Sequence, residues 1–226
     1  MSEWILIAAA GALAAADTTA FFQGMIHQPL VISTLLGAAL GLPAEGAYAG
    51  ALLQLLWISE LPIGAAVFPD VGSVSAGAAG GVLLAAEAGT GLGEAGAAAL
   101  LLSIPLASAA GRLVSAQREF QGLFLPRVYR AVERGRPGLL RWYLAVGVVH
   151  SLLRGALVAT GTALLVRMAA SWAGGQLPAG AIPPYTLLAG MLAAGLVMVW
   201  RLLDEGALLP WVLAGAAVGT MGVMLL

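Results

Sequence analysis

Three stretches of this chain, 18–44, 168–200 and 206–226, contain no Asp, Glu, Lys or Arg. Each is long enough for a helix of about 20 residues to cross a hydrocarbon core of about 30 Å. The whole sequence shares this character. Hydrophobic residues make up 61% and charged residues 9%, where soluble domains carry about 25% charge. A soluble globular protein is excluded. Disorder is excluded too, because the chain is too apolar and too weakly charged. The expected fold is an all-α polytopic integral membrane protein, a single domain over residues 1–226, with about six to eight transmembrane or re-entrant helical segments.

Other uncharged runs, 4–16, 46–59, 71–86 and 95–111, are shorter, and several lie near or below the spanning limit. Pro29, Gly41 to Pro43, Pro62 to Gly64 and Pro69 interrupt the N-terminal third. Short, broken apolar segments suggest re-entrant or discontinuous helices. Non-helical backbone at membrane depth is tolerated where it is buried in protein or lines a cavity. Residues 17–75 are therefore the part expected to build a site. The first helix is read as a retained transmembrane segment, because Glu3 sits where a cleaved signal would carry basic residues.

All ten basic residues are Arg, and seven lie in 112–141. Positive charge stays on the cytoplasmic side, so this segment is expected to face the cytoplasm. Leu113, Phe120, Phe124, Val128 and Val132 repeat at helical spacing, with Arg127, Arg130 and Arg134 on another face. This predicts an amphipathic stretch at the inner membrane surface, kinked or split at Pro126 and ended by Gly135 and Pro137. It is either a solvated loop that fixes topology or a docking surface for a cytoplasmic partner. Glycines four apart, at 37/41, 46/50, 77/81, 89/93 and 215/219, fit the small-xxx-small spacing that lets helix backbones approach.

A polar group at membrane depth is costly and needs a reason. The N-terminal third holds Asp17, Thr18, Thr19, Gln23, His27 and Gln28, then Glu45, Gln54, Ser59, Glu60, Asp70, Ser73 and Ser75. Carboxylates and amides can each bridge neighbouring sugar hydroxyls. Trp57 could cover an apolar sugar face. Simpler roles stand beside these. Asp17 could cap a helix starting at Thr18. His27 could be a hydrogen-bonded buried or interfacial histidine. Glu45 fits a solvated loop, and Glu60 fits an interface. Asp70, after Phe68-Pro69, is the foremost candidate carboxylate.

The second half offers less. His150 and Arg154 share a helix face, Arg154 and Arg167 could face the bundle or snorkel, and Asp204-Glu205 beside Arg201 reads as a helix end. None carries chemistry by pattern. There is no phosphate-binding G-x-x-x-x-G-K-[ST] motif and no hydrolytic Ser/His/Asp set. A lone His with no second His nearby is poor evidence for a metal site, and no cofactor is expected. Without Cys there are no disulfides or thiolate sites. The net charge of -1 offers no footprint for nucleic acid.

Residues 17–30, DTTAFFQGMIHQPL, resemble the polar, His- and Pro-bearing stretch of membrane subunit IIC in the mannose/fructose/sorbose class of the bacterial sugar phosphotransferase system. His27-Gln28-Pro29-Leu30 is the most specific part. Residues 37–70, GAALGLPAEGAYAGALLQLLWISELPIGAAVFPD, continue the match with the L-G-D turn, a Gly-rich helix and G-A-A-x-x-P-D. Beyond residue 90 the likeness is looser. Pro105, the Arg-bearing segment and LLPWVLAG at 208–215 keep the family's order. The chain departs at Leu42, where the family has an acid, at Gln54, where Glu is frequent, and at Gln28, where a basic residue is frequent.

The resemblance implies a sugar-transporting permease subunit of the bacterial cytoplasmic (inner) membrane. It would bind a hexose-like sugar through Gln23, His27, Gln54 and Asp70, with Trp57 and Glu60 nearby, and carry it inward. A soluble IIB partner, fed by IIA, would phosphorylate the sugar. This chain would carry no phosphohistidine and be no enzyme itself. It would work in the bilayer with membrane subunit IID, as an oligomer. Competing readings are a small-solute permease unconnected with phosphorylation, the membrane component of an ATP-driven importer, and a non-transporting scaffold.

Overall fold

The computed structural model describes residues 1–20, 23–58, 69–135, 138–178 and 180–203. Among these residues all of the regular structure is α-helix. α1 spans Ser2–Thr19, α2 Pro29–Ala39, α3 Pro43–Leu56, α4 Val71–Glu87, α5 Leu92–Gly122, α6 Leu125–Glu133, α7 Gly138–Gln176 and α8 Pro184–Leu203. Two of the helical stretches, Leu92–Glu133 and Gly138–Gln176, are long and apolar enough to cross a membrane.

Proline and glycine set the breaks. Pro29 and Pro43 stand at the first positions of α2 and α3. There the missing N–H costs nothing and the fixed φ suits a helix start. Gly41, at φ +80°, turns the chain between them, a conformation that favours glycine. The run 18–44, long enough for one crossing, is therefore divided. α2 and α3 form a hairpin of 11 and 14 residues, about 16 and 21 Å at 1.5 Å per residue. Neither arm alone matches a hydrocarbon core of about 30 Å.

The run 168–200 is also divided. α7 ends at Gln176, and α8 begins at Pro184 after Pro178 and Pro183. Pro126 starts a helix rather than kinking one: α5 ends at Gly122 and α6 begins at Leu125. Glu45 lies in the first turn of α3, where a carboxylate suits the helix dipole, and not in a loop.

α4 is the central helix, buried at every residue from Gly72 to Ala85. Its sequence, VGSVSAGAAGGVLLAAE, is almost all small side chains. Lipid tails are as apolar as leucine, so helix association in a bilayer rests on close packing, which small residues permit. α1, α2, α5 and α7 surround α4. A core of Ile7, Ala14, Ile32, Leu36, Leu83 and Ala159 joins α1, α2, α4 and α7. Across the α2–α3 hairpin, a Cβ on Gly37 would stand 2.7 Å from the Gly46 Cα, so the two backbones touch there. The expected spacing pairs act differently from one another. Gly77 and Gly81 face α7, whereas Gly41 and Gly89 are turn glycines with open space around them. Gly215/219, the 208–215 segment and the final uncharged run fall outside the described residues, as do Asp204-Glu205, Pro62 to Gly64 and Pro137.

Candidate substrate site

The loop between α1 and α2 is built around Asp17. This residue sits in the last turn of α1, not ahead of a helix, and is 3% exposed. Its carboxylate accepts the backbone N–H groups of Gly24 and of His27, the latter at 3.0 Å, and pairs with His27 Nδ1 at 2.6 Å. A carboxylate has capacity for several donors, so one side chain gathers the loop. The loop needs the anchor: Gln23 and Met25 lie at φ +51° and +62°, left-handed backbone that is uncommon outside glycine. Gln23 is consequently held on the surface.

His27 closes this loop against the start of α4. A Cβ on Gly72 would stand 3.0 Å from the His27 Cβ, so only glycine lets the loop approach this far. Next to it, the Gln54 amide ties the end of α3 to the start of α2. Its Nε2 donates to Gln28 Oε1 at 3.1 Å, and its Oε1 accepts from the Leu30 N–H at 3.3 Å. Trp57 caps α3 and packs with Val74, Ala107 and Ala110 in a buried cluster. His27, Gln54, Trp57 and Asp70 thus gather where two helix ends and two helix starts meet, with Gln23 on the adjoining loop. Glu60 lies outside the described residues.

Asp70 is the N-cap of α4. Its Oδ1 accepts the Ser73 N–H at 3.2 Å, its own N–H donates to the Ala107 carbonyl at 3.0 Å, and its Oδ2 pairs with Arg154 Nη1. Both members of the pair are buried, at 5% and 7% exposure. Arg154 is further held by Nε donating to Gln117 Oε1 at 2.9 Å. Gln117 Nε2 in turn donates to Ser151 Oγ at 2.8 Å, and Thr19 Oγ1 reaches the same hydroxyl at 3.4 Å. A buried charge must be paired and hydrogen-bonded to be tolerated, and this network does both.

Sequence reasoning left Arg154, Gln117 and Ser151 without a role. A signal was present: Arg154 is an arginine amid apolar residues, and such a residue has a partner by default. Two donors remain open beside the network. Trp57 Nε1 and Ser73 Oγ are buried with no hydrogen-bond partner among the described residues. Buried polar atoms are nearly always satisfied; Ser33 Oγ, Tyr48 Oη, Ser75 Oγ and Glu94 Oε2 are also without a partner among the described residues. No cluster of three or more His, Asp or Glu that could hold a metal occurs among the described residues.

Apolar helices of mixed length, two stretches of them long enough to cross a membrane, and a polar junction inside the bundle fit an integral membrane protein. The family of the sorbose-specific IIC component of the phosphotransferase system (PTS) matches residues 1–225, and the chain belongs to that family. It is therefore the membrane subunit of a sugar transporter, an integral membrane protein rather than a phosphorylating enzyme.

Solved structures similar to this chain include these two. One, described only as a membrane protein, is 25% identical with a TM-score of 0.66, over 100% of this chain and 93% of that one. The other, a cryo-EM structure of the mannose transporter ManYZ in complex with a microcin, is 25% identical with a TM-score of 0.57, over 99% and 92%. No curated protein gives a match.

Proposed function

We propose that this subunit binds a hexose-like sugar at the junction of the α1–α2 loop, the end of α3 and the start of α4. It then carries the sugar inward across a bacterial cytoplasmic membrane for phosphorylation by a soluble IIB partner that IIA supplies. The partner within the membrane is a IID subunit, in an oligomeric complex, and the whole of 1–226 acts as one permease domain. Support comes from family membership over nearly the full chain and from the likeness to the mannose transporter ManYZ. The observation that carries the site is the pair of orphaned donors, Trp57 Nε1 and Ser73 Oγ, beside the Gln54 amide and His27.

In this reading Gln23, His27 and Gln54 bond the sugar hydroxyls. Trp57 offers its indole N–H. Asp70 uses the acceptor capacity left over from Ser73 and Arg154. Gln54 stands where relatives of the class often carry Glu, so a neutral amide replaces a charge at a sugar contact. The test is equilibrium hexose binding to the complex with the second membrane subunit. Gln54→Ala removes neutral hydrogen bonds of about 0.5–1.5 kcal/mol, so affinity falls about 2- to 13-fold. Unchanged affinity in a well-assembled Gln54→Ala complex would place the sugar elsewhere.

A further inference from the structure

A second site lies away from the polar junction, where α5 gives way to α6 and α7. Arg127, Arg130 and Arg134 occupy positions i, i+3 and i+7, one helical face. With Leu139 and Trp142 from the start of α7 they line a depression of about 560 Å³. None of the three arginines forms a salt bridge among the described residues. Arg127 lies over the Phe124 ring at 5.8 Å, and Arg130 Nε donates to the Pro126 carbonyl at 3.2 Å. Apart from the Arg130 Nε bond, their guanidinium donors make no hydrogen bond among the described residues.

The surroundings are apolar as well as basic. Tyr129 is 64% exposed and Trp142 67%, with Leu139, Leu140 and Val132 also exposed. A face that meets only water or a hydrated protein domain does not display this many large apolar side chains beside its arginines. A bilayer boundary accommodates both, because tryptophan and tyrosine sit at headgroup level. Amphipathic segments there bury one face and point the other at lipid phosphates.

We propose that this depression binds the phosphate of an anionic phospholipid headgroup, with the acyl chains running along Leu139 and Trp142. Arginine suits the task because its planar fork meets phosphate oxygens bidentately. A free phosphate would meet the same guanidinium groups but gain nothing from the apolar rim.

The test uses the full-length chain, delipidated in mild detergent, with lipid retention followed by native mass spectrometry. Phosphatidylglycerol should bind at least tenfold more tightly than phosphatidylcholine with the same acyl chains, and excess inorganic phosphate should not displace it. The exposed triple variant Arg127→Gln/Arg130→Gln/Arg134→Gln should lose affinity for phosphatidylglycerol by about 100-fold, on the order of fivefold per arginine. If the triple variant aggregates, Arg130→Gln alone should still show about the fivefold loss. Equal binding of both lipids, ready displacement by phosphate, or retention by the triple variant each overturns the proposal. So does a triple variant that keeps its lipid but no longer associates with a soluble IIB domain, which would make the face a protein-docking surface.

Discussion

Among the described residues, two aspartates are buried, with two different partners. Asp17 pairs with His27 and collects two backbone N–H groups from a loop. Asp70 pairs with Arg154, an always-charged side chain fixed between helices α5 and α7 by Gln117. Asp17 therefore shapes a local turn, and its bonds reach no further than ten residues along the chain. Asp70 joins α4 to α7 across 84 residues. The first shapes the α1–α2 loop. The second ties the start of α4 to α7.

Removing Asp70 should have the largest effect. Breaking a buried pair from one side leaves an uncompensated charge and costs about 3–5 kcal/mol. Asp70→Ala and Arg154→Ala should each lower the unfolding midpoint sharply and reduce the fraction recovered as a monodisperse peak. The double variant should be less damaged than the sum of the two, because the pair is coupled. Strict additivity would mean that the two side chains do not interact. A loss of sugar binding in Asp70→Ala must accordingly be read against assembly, since the Arg154 network fails with it.

A smaller effect is expected within the hairpin. A Cβ on Gly46 would stand 2.8 Å from the Gly37 Cα. Gly46→Val should therefore part α2 from α3, at about 1–3 kcal/mol as overpacking usually costs. Because Gln54 and Gln28 bond across this hairpin, hexose affinity should fall along with thermal stability. A Gly46→Val protein with the wild-type midpoint would show that the two helices do not touch there.

The smallest effect belongs to the local pair. Asp17→Asn keeps an acceptor oxygen but loses the charge, a difference of about 1 kcal/mol for bonds of this kind. The global midpoint should hardly move. The α1–α2 loop should loosen instead. A cysteine placed at Gln23 in this Cys-free chain should react with maleimide about fivefold faster in the Asp17→Asn background, as about 1 kcal/mol of opening implies. Equal rates would mean that Asp17 does not anchor the loop.

The breaks around the junction were legible because their cause is local. Proline at 29, 43 and 69 and glycine at 41 dictate backbone geometry whatever packs nearby. The His27-Gln28-Pro29 run pointed to the polar loop for the same reason, and the all-helical membrane class came from the lack of charge. The long-range contacts stayed hidden. Nothing in the neighbourhood of Asp70 names Arg154, and the roles of Gln117 and Ser151 exist only once α5 and α7 lie side by side. The capping role open to Asp17 does not hold, because α1 runs through it to Thr19. A carboxylate at a helix boundary can cap a helix that starts there or reach forward into the adjoining loop, and local sequence does not choose between the two. The division of 168–200 into α7 and α8 was missed because an uncharged run was counted by length, although Pro178, Pro183 and Pro184 stand inside it.

The most direct measurement is substrate protection of the loop. Gln23→Cys, in a complex with the second membrane subunit that still takes up sugar, should be labelled readily by a small maleimide, since Gln23 is exposed. Saturating hexose should slow that labelling several-fold. The same sugar should leave a cysteine at Glu133, exposed at the end of α6, reacting at its original rate. Slowing at Gln23→Cys alone is the expected result. Labelling at Gln23→Cys that saturating hexose leaves unchanged, while uptake continues, would contradict a sugar site at this junction.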